Sequence, residues 1–167
     1  MDIELVKKEI ENWIINFVEK PNELLNGWPP CPYARRARIE KQYDVRLGSH
    51  PLTDLVDLSY QGIAPYEVVI LVYNPDTWDR LLFSDMLEQA NLQYLLSKDL
   101  IVLEDHPDDL EMVNGVCMNQ GTYALALVQS KSQLDSHAQA VARKGFYNGW
   151  PEHYLQGLFK HRQDPRQ

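Results

Sequence analysis

Two cysteines stand among 167 residues, too few to hold a fold together by disulfides. No apolar run approaches the roughly 20 residues that a membrane-spanning helix needs, so no membrane partner is expected. Basic residues are a minority, 16 Lys plus Arg against 24 Asp plus Glu, for a formal net charge of −8. A negative field of that size repels phosphate, so nucleic acid is not expected as a partner. The first residues lack the basic-then-apolar leader of a secreted chain, which leads to the expectation of a cytoplasmic protein with two free thiols. No internal repeat occurs, and no His or Cys pair stands at metal-ligand spacing. Cys31, His106 and Asp108, with Cys117, are the one mixed set that zinc or iron could use. Without paired ligands beside it, no metal and no cofactor are expected. What is present is a chain 44% apolar and 10% aromatic, enough for a single domain over 1–167 with a real core.

Strands and helices intermingle along it. Ile3, Val6, Ile10, Trp13, Ile14 and Phe17 recur at helical spacing, so an amphipathic helix is expected over about 2–20, capped by Asp2 and stopped by Pro21. Asn26 to Pro32 is rich in Gly and Pro and reads as rigid loop, and Tyr33 to Arg38 as a short helix. Tyr43 to Leu47 alternates like a half-buried strand, and Pro51 to Tyr60 suits a helix. Tyr66 to Tyr73 is β-branched and nearly all apolar, which marks a central strand. Asn74-Pro75-Asp76-Thr77 has the pattern of a helix start, with the helix running to about Leu96. Ile101 to Leu103 and Thr122 to Val128 complete four strands, joined by a loop of roughly 17 residues, long enough to suspect function. Ser130 to Gln133 is a capping box, a last helix follows over about 152–159, and the tail from 161 is expected to fray. The sum is an α+β sandwich. Its sheet is mostly antiparallel with helices packed on one face, ferredoxin-like in layout.

Several residues carry chemistry. Cys31 precedes a helix and three arginines, Arg35, Arg36 and Arg38, an environment that favours a thiolate and an anionic substrate. It reads equally as a structural thiol in a turn. Cys31-Pro32-Tyr33-Ala34 resembles the redox motif of glutaredoxins and omega-type glutathione transferases. Those families place an apolar strand before the motif, whereas Gly27-Trp28-Pro29-Pro30 precedes it here. His106-Pro107-Asp108 offers a base oriented by a carboxylate, or a turn in which Asp108 bonds nearby amides. Asn119 could orient a substrate group and Tyr123 could act as an acid, or the two form a turn and a core edge. Asp85 and Glu88 lie one helical turn apart. Phe146 to Pro151 offers an aromatic anchor for assembly, or rings that pin the last helix to the core.

In this order, Cys31-Pro32-Tyr33-Ala34, Asp85-Met86-Leu87-Glu88-Gln89-Ala90, His106-Pro107-Asp108 and Asn119 with Tyr123 resemble the pattern of a bacterial family of unknown function. That family's pattern has Cys-Pro-Phe-Ala, Asp-aromatic-Leu-acid-x-Ala, His-Pro-Asp and Asn-x-x-x-Tyr, spanning roughly residues 10–145 here. Tyr33 replaces its phenylalanine, and Thr122-Tyr123-Ala124 replaces its Pro-Tyr-Pro. The resemblance implies that Cys31, Asp85, His106, Asp108, Asn119 and Tyr123 form a recurring set. No activity comes with it. Two functions are expected on these grounds. One is a small cytosolic enzyme acting on a small anionic molecule near Cys31, His106 and Asn119. The other is a binding or assembly module that uses aromatics near Trp150. The sequence leaves the oligomeric state open.

Overall fold

A strand with apolar residues on both faces has to be covered twice, and that requirement organises this molecule. The computed structural model describes residues 1–167. Its strands are β1 (Tyr43–Leu47), β2 (Val68–Tyr73), β3 (Leu100–Asp105), β4 (Met112–Val113), β5 (Val116–Cys117) and β6 (Ala124–Ser130). Its helices are α1 (Ile3–Trp13), α2 (Ala34–Ile39), α3 (Pro51–Gln61), α4 (Arg80–Ala90), α5 (Lys131–Ala142) and α6 (Glu152–Leu158). The main sheet has the order β1-β2-β6-β3, and β4 with β5 forms a separate hairpin. β1 runs parallel to β2, while β6 is antiparallel to both β2 and β3. The fold is therefore α+β with a mostly antiparallel four-stranded sheet.

The layout differs from a ferredoxin-like one at its edge. β2, α4 and β3 form a split β-α-β unit with β6 between the two strands. The fourth position is taken by β1, from earlier in the chain and parallel to its neighbour, so the order β-α-β-β-α-β does not occur.

The helices also lie on both faces, a correction to the one-sided arrangement. Val69, Leu71 and Tyr73 of β2 pack with Leu55 and Leu58 of α3 and Phe83 and Leu87 of α4. On this face the register sets large residues beside small ones: Leu71 pairs with Ala126 and Tyr73 with Ala124. The alanines leave room for Phe83, whose ring meets that of Tyr73 edge-on at 5.7 Å. Ile70 and Val72 point the other way, where Val6, Ile10 and Ile14 of the α1 segment cover them together with Val45 and Leu125. A third cluster, built from Val113, Val116, Ala138, Val141, Phe146 and Trp150, lies under α5, α6 and the hairpin.

Three local expectations change. Asn74 does not open α4; its Oδ1 accepts from the Asp76 amide in a turn, and Asp79 caps the helix by accepting from Leu81 and Leu82. α1 ends at Trp13 and widens into a π-helical turn over Ile14–Val18. The tail is docked, because His161 meets Glu88, Arg162 meets Asp135 and Arg166 meets Glu152. No helix is long and apolar enough to cross a membrane.

Gly48 shows how tightly the end of β1 is set against β2. A Cβ there would sit 2.1 Å from the Tyr73 ring, and that ring is held by its hydroxyl donating to Asp54 Oδ2 at 2.9 Å. Gly48→Ala is expected to destabilise the fold by about 1–3 kcal/mol through overpacking, read as a lower urea midpoint at unchanged slope.

Candidate functional site

The α1 segment and the C-terminal aromatic cluster rest on the same sheet face without merging, and a chamber of about 310 Å³ remains between them. Its floor is a cross-strand row, Ile70, Leu127 and Leu103, set by the pairing of Leu127 with both neighbours. Trp13, Ile14 and Val18 wall one side, and Val141, Phe146 and Trp150 the other. Beside the chamber opens a larger vestibule of about 730 Å³, with a more polar lining that includes several acids. The two spaces share the floor residues Leu103 and Leu127 and the wall residue Trp13, and also Cys31, Pro30, Val18, Met118, Tyr154 and Leu158, which form the neck between them.

Cys31 belongs to a strap that ties the two walls together. Its amide donates to the Val18 carbonyl at 3.0 Å. Two residues on, the Tyr33 hydroxyl donates to the His137 carbonyl at 3.4 Å and its ring stacks on His137 at 3.8 Å. The thiol is half-buried and unpaired. Burial pushes it above the ordinary thiol range, and the Tyr33 and Ala34 amides pull it back only in part. Tyr33, not Cys31, stands at the start of the six-residue helix α2, with no side-chain cap. The nearby arginines do not reach the cleft. Arg38 forms a bidentate pair with Glu19 at 2.8 and 2.7 Å, Arg36 binds Glu67 and Glu40, and Arg35 is exposed.

The segment after β3 forms the vestibule wall, and Asn119 is its hub. The buried Asn119 amide donates to Asp105 Oδ1, the His106 carbonyl and the Asp109 carbonyl at 2.8, 3.1 and 3.0 Å. Its oxygen accepts from the Glu111 amide at 2.7 Å. Asp105 also accepts from the Gln120 amide at 2.8 Å. His106 is 2% exposed. Its Nδ1 accepts from the Asp108 amide at 3.1 Å, and its Nε2 donates to the Trp78 carbonyl at 2.8 Å. Both ring nitrogens are thus committed. The Asp108 carboxylate is exposed and lies 4.0 Å from a nitrogen that already accepts. His106 and Asn119 therefore shape the wall rather than face the cavity.

Of the residues expected to act on or bind a substrate (Cys31, Asp85, His106, Asp108, Asn119, Tyr123 and the three arginines), the structure brings only Cys31 and Asp85 to the cleft, with Glu88 beside Asp85. Tyr123 lies near α1, where its hydroxyl donates to the Glu9 carboxylate and is pushed up to about 12 by that partner. Cys31, His106, Asp108 and Cys117 do not gather; no group of three or more His, Cys, Asp or Glu side chains comes together as metal ligands would. Trp150 is 8% exposed, so the Phe146 to Pro151 segment presents no free aromatic anchor. Its rings interlock, with Phe146 and Trp150 5.0 Å apart and Tyr147 and Trp150 5.3 Å apart.

Glu111 was not among the residues singled out. It lines the vestibule with Asp85, Glu104, Asp105 and Asp109, and its carboxyl has no hydrogen-bond partner, whereas Asp109 pairs with Arg80 and Glu104 accepts from Ser84. Burial, then Asp105, Asp109 and Glu104, push Glu111 up to about 8. Burial also raises Glu104 and Asp105. Burial and then the Glu111 charge raise the Tyr154 phenol at the neck. The only sequence signal was a density of acids in a long segment, which is equally the mark of a solvated loop. No family model matches this chain, and no curated protein or solved structure matches it.

Two outcomes check this geometry. Asn119→Ala leaves several buried groups unpaired, so a loss of about 2–4 kcal/mol is expected in chemical denaturation, with faster amide exchange over residues 106–118. Iodoacetamide is expected to label exposed Cys117 well before Cys31 at pH 7. Because the Cys31 thiol is raised, its labelling rate should keep climbing past pH 9, as peptide mass spectrometry at several times would show.

Proposed function

We propose that this protein binds a small apolar molecule in the chamber, admitted through the vestibule and past Cys31. The observation that carries this reading is the joining of a mostly apolar cavity to a more polar, acid-bearing mouth through shared residues. A ligand that is neutral or basic suits the mouth better than a small anion, because its acids outnumber its cations and the arginines near Cys31 are matched by carboxylates. A cytoplasmic setting is supported by Cys117, an exposed free thiol that an oxidising compartment would leave open to reaction. The neutral dye N-phenyl-1-naphthylamine is expected to bind saturably with enhanced fluorescence and to slow Cys31 alkylation. Leu127→Trp and Met118→Trp, which fill the floor and the neck, should each weaken it at least tenfold. No saturable binding, or equal affinity in both variants, would remove this reading.

Chemistry on the bound molecule is a second reading, supported by Glu111. A carboxyl titrating near neutrality at the mouth of a cleft can both give and take a proton. The same carboxyl opposes folding. Its folded pKa, about 8 against an ordinary 4.5, means that the folded state holds a proton the unfolded chain has lost. Stability therefore falls as pH rises from about 4.5 to about 8 and levels off above. Glu111→Gln should remove that slope. The variant is expected to be more stable than the native protein by about 1–3 kcal/mol at pH 8.5 and nearly equal at pH 5, by urea denaturation. A variant that is less stable at both pH values would show that Glu111 serves the fold.

A further inference from the structure

The chamber and the vestibule differ in character, and they meet at the neck. The chamber is mostly apolar. Six carboxyl side chains line the vestibule against one lysine. That lysine, Lys160, is spent on Glu88 at 2.9 Å, and His161 meets the same carboxylate at 2.9 Å. Asp109 reaches Arg80 at 3.8 Å. Glu104 accepts from Ser84, and Asp105 from Asn119 and the Gln120 amide. The Glu111 backbone is bonded too, its amide to Asn119 and its carbonyl to the Met118 amide, but its carboxyl finds no donor in the protein. After burial, the Glu111 charge is the largest influence on the Tyr154 phenol, and Tyr154 lines both spaces. A partly buried, unpartnered carboxyl therefore stands where the apolar chamber opens. A molecule whose body fills the chamber has its polar end among acids.

The charge of that end follows. An anion would meet the carboxyls of the vestibule, and the guanidinium on the chamber wall, Arg162, is already paired with Asp135 at 3.4 Å. A neutral group would leave Glu111 uncompensated. A bare metal ion is not accommodated either, because the carboxyls do not converge as metal ligands would. A cation carried on an organic body meets every condition.

We infer that the cleft holds a protonated amine with an apolar body, the hydrocarbon lying in the chamber over Leu103 and Leu127 and the ammonium standing in the vestibule beside Glu111. This rests on the chamber being a binding site and adds the chemical class of its occupant. Burial, then Asp105, Asp109 and Glu104, push Glu111 up to about 8. A cation beside it acts in the opposite sense, so amine and proton compete and binding strengthens as pH rises towards 8.

The test titrates the intact protein calorimetrically with three molecules of one chain length: octylamine, 1-octanol and octanoate. The ammonium of octylamine, like that of lysine, stays charged to about pH 10. At pH 8 octylamine is expected to bind about tenfold or more tighter than 1-octanol, with octanoate weakest. From pH 8 to pH 5 the amine should weaken about fivefold or more while 1-octanol holds steady. His161 and His153 also line the vestibule and gain charge over that range, so Glu111→Gln is run beside the native protein. The variant should bind octylamine about fivefold more weakly at pH 8, lose most of its pH dependence and leave 1-octanol unchanged. Leu127→Trp, which fills the floor, should weaken amine and alcohol alike. Three results would overturn the inference: octanoate binding most tightly, octylamine indifferent to Glu111→Gln, or amine binding that survives Leu127→Trp and so belongs to the acidic surface alone. If 1-octanol binds as tightly as octylamine, the chamber remains a binding site and the cation is rejected. If none of the three binds, both readings fall.

Discussion

Every feature of the candidate site descends from one packing constraint: the second face of the sheet is covered by two separate bodies instead of one helical layer. The α1 segment sits over β1 and the near end of β2, and the C-terminal aromatic cluster sits beyond it. Neither is wide enough to bury Leu103 and Leu127 completely, so the floor between them stays open as a chamber. Filling that space with side chains would gain packing and burial. That it stays open is a departure from good packing of the kind that accompanies function.

The polar half of the cleft is held by a different device. A segment rich in Asp and Glu would repel itself and stay solvated if nothing organised it. Asn119 does so, bonding a side chain, two carbonyls and one amide of that segment at once. His106 does the same on the other side by joining the end of β3 to the carbonyl of Trp78, just ahead of the Asp79 cap of α4. These residues position the acids of the vestibule and touch no cavity themselves. Removing either would alter the mouth of the cleft without removing a group that a ligand meets.

Local features were readable from the sequence where one physical effect dominated. The apolar run of β2, the alternation of β1 and the Ser130 cap of α5 each follow from periodicity or capping alone. The start of α4 was misplaced because Asn74-Pro75-Asp76 and Asp79 both have capping chemistry. The turn that Asn74 forms with its own neighbours leaves the helix to Asp79. At the site, residue type alone did not separate a group that faces a ligand from one that faces the backbone. His106 and Asn119 have the chemistry of a catalytic pair and spend it on amides and carbonyls. Arg36 and Arg38 have the charge to bind an anion and meet Glu67 and Glu19. Glu111 was indistinguishable from other acids until burial singled it out. Trp13 and Trp150, 137 positions apart by their numbering (150 − 13), gave no sign of sharing a cavity.

The chamber walls come from opposite parts of the chain. Its floor strands are complete by Ser130, one wall is made first with α1, and the other wall is not present until Phe146 to Arg162 have been made. In chain order the sheet is therefore complete before the segment that covers the rest of its apolar face. The docking of the tail through Arg162, Asp135 and Glu88 then covers part of an apolar surface that is prone to aggregate while the chain is incomplete. Order of synthesis and formation of the cavity are thereby linked, because the second wall follows both the floor and the first wall in the chain.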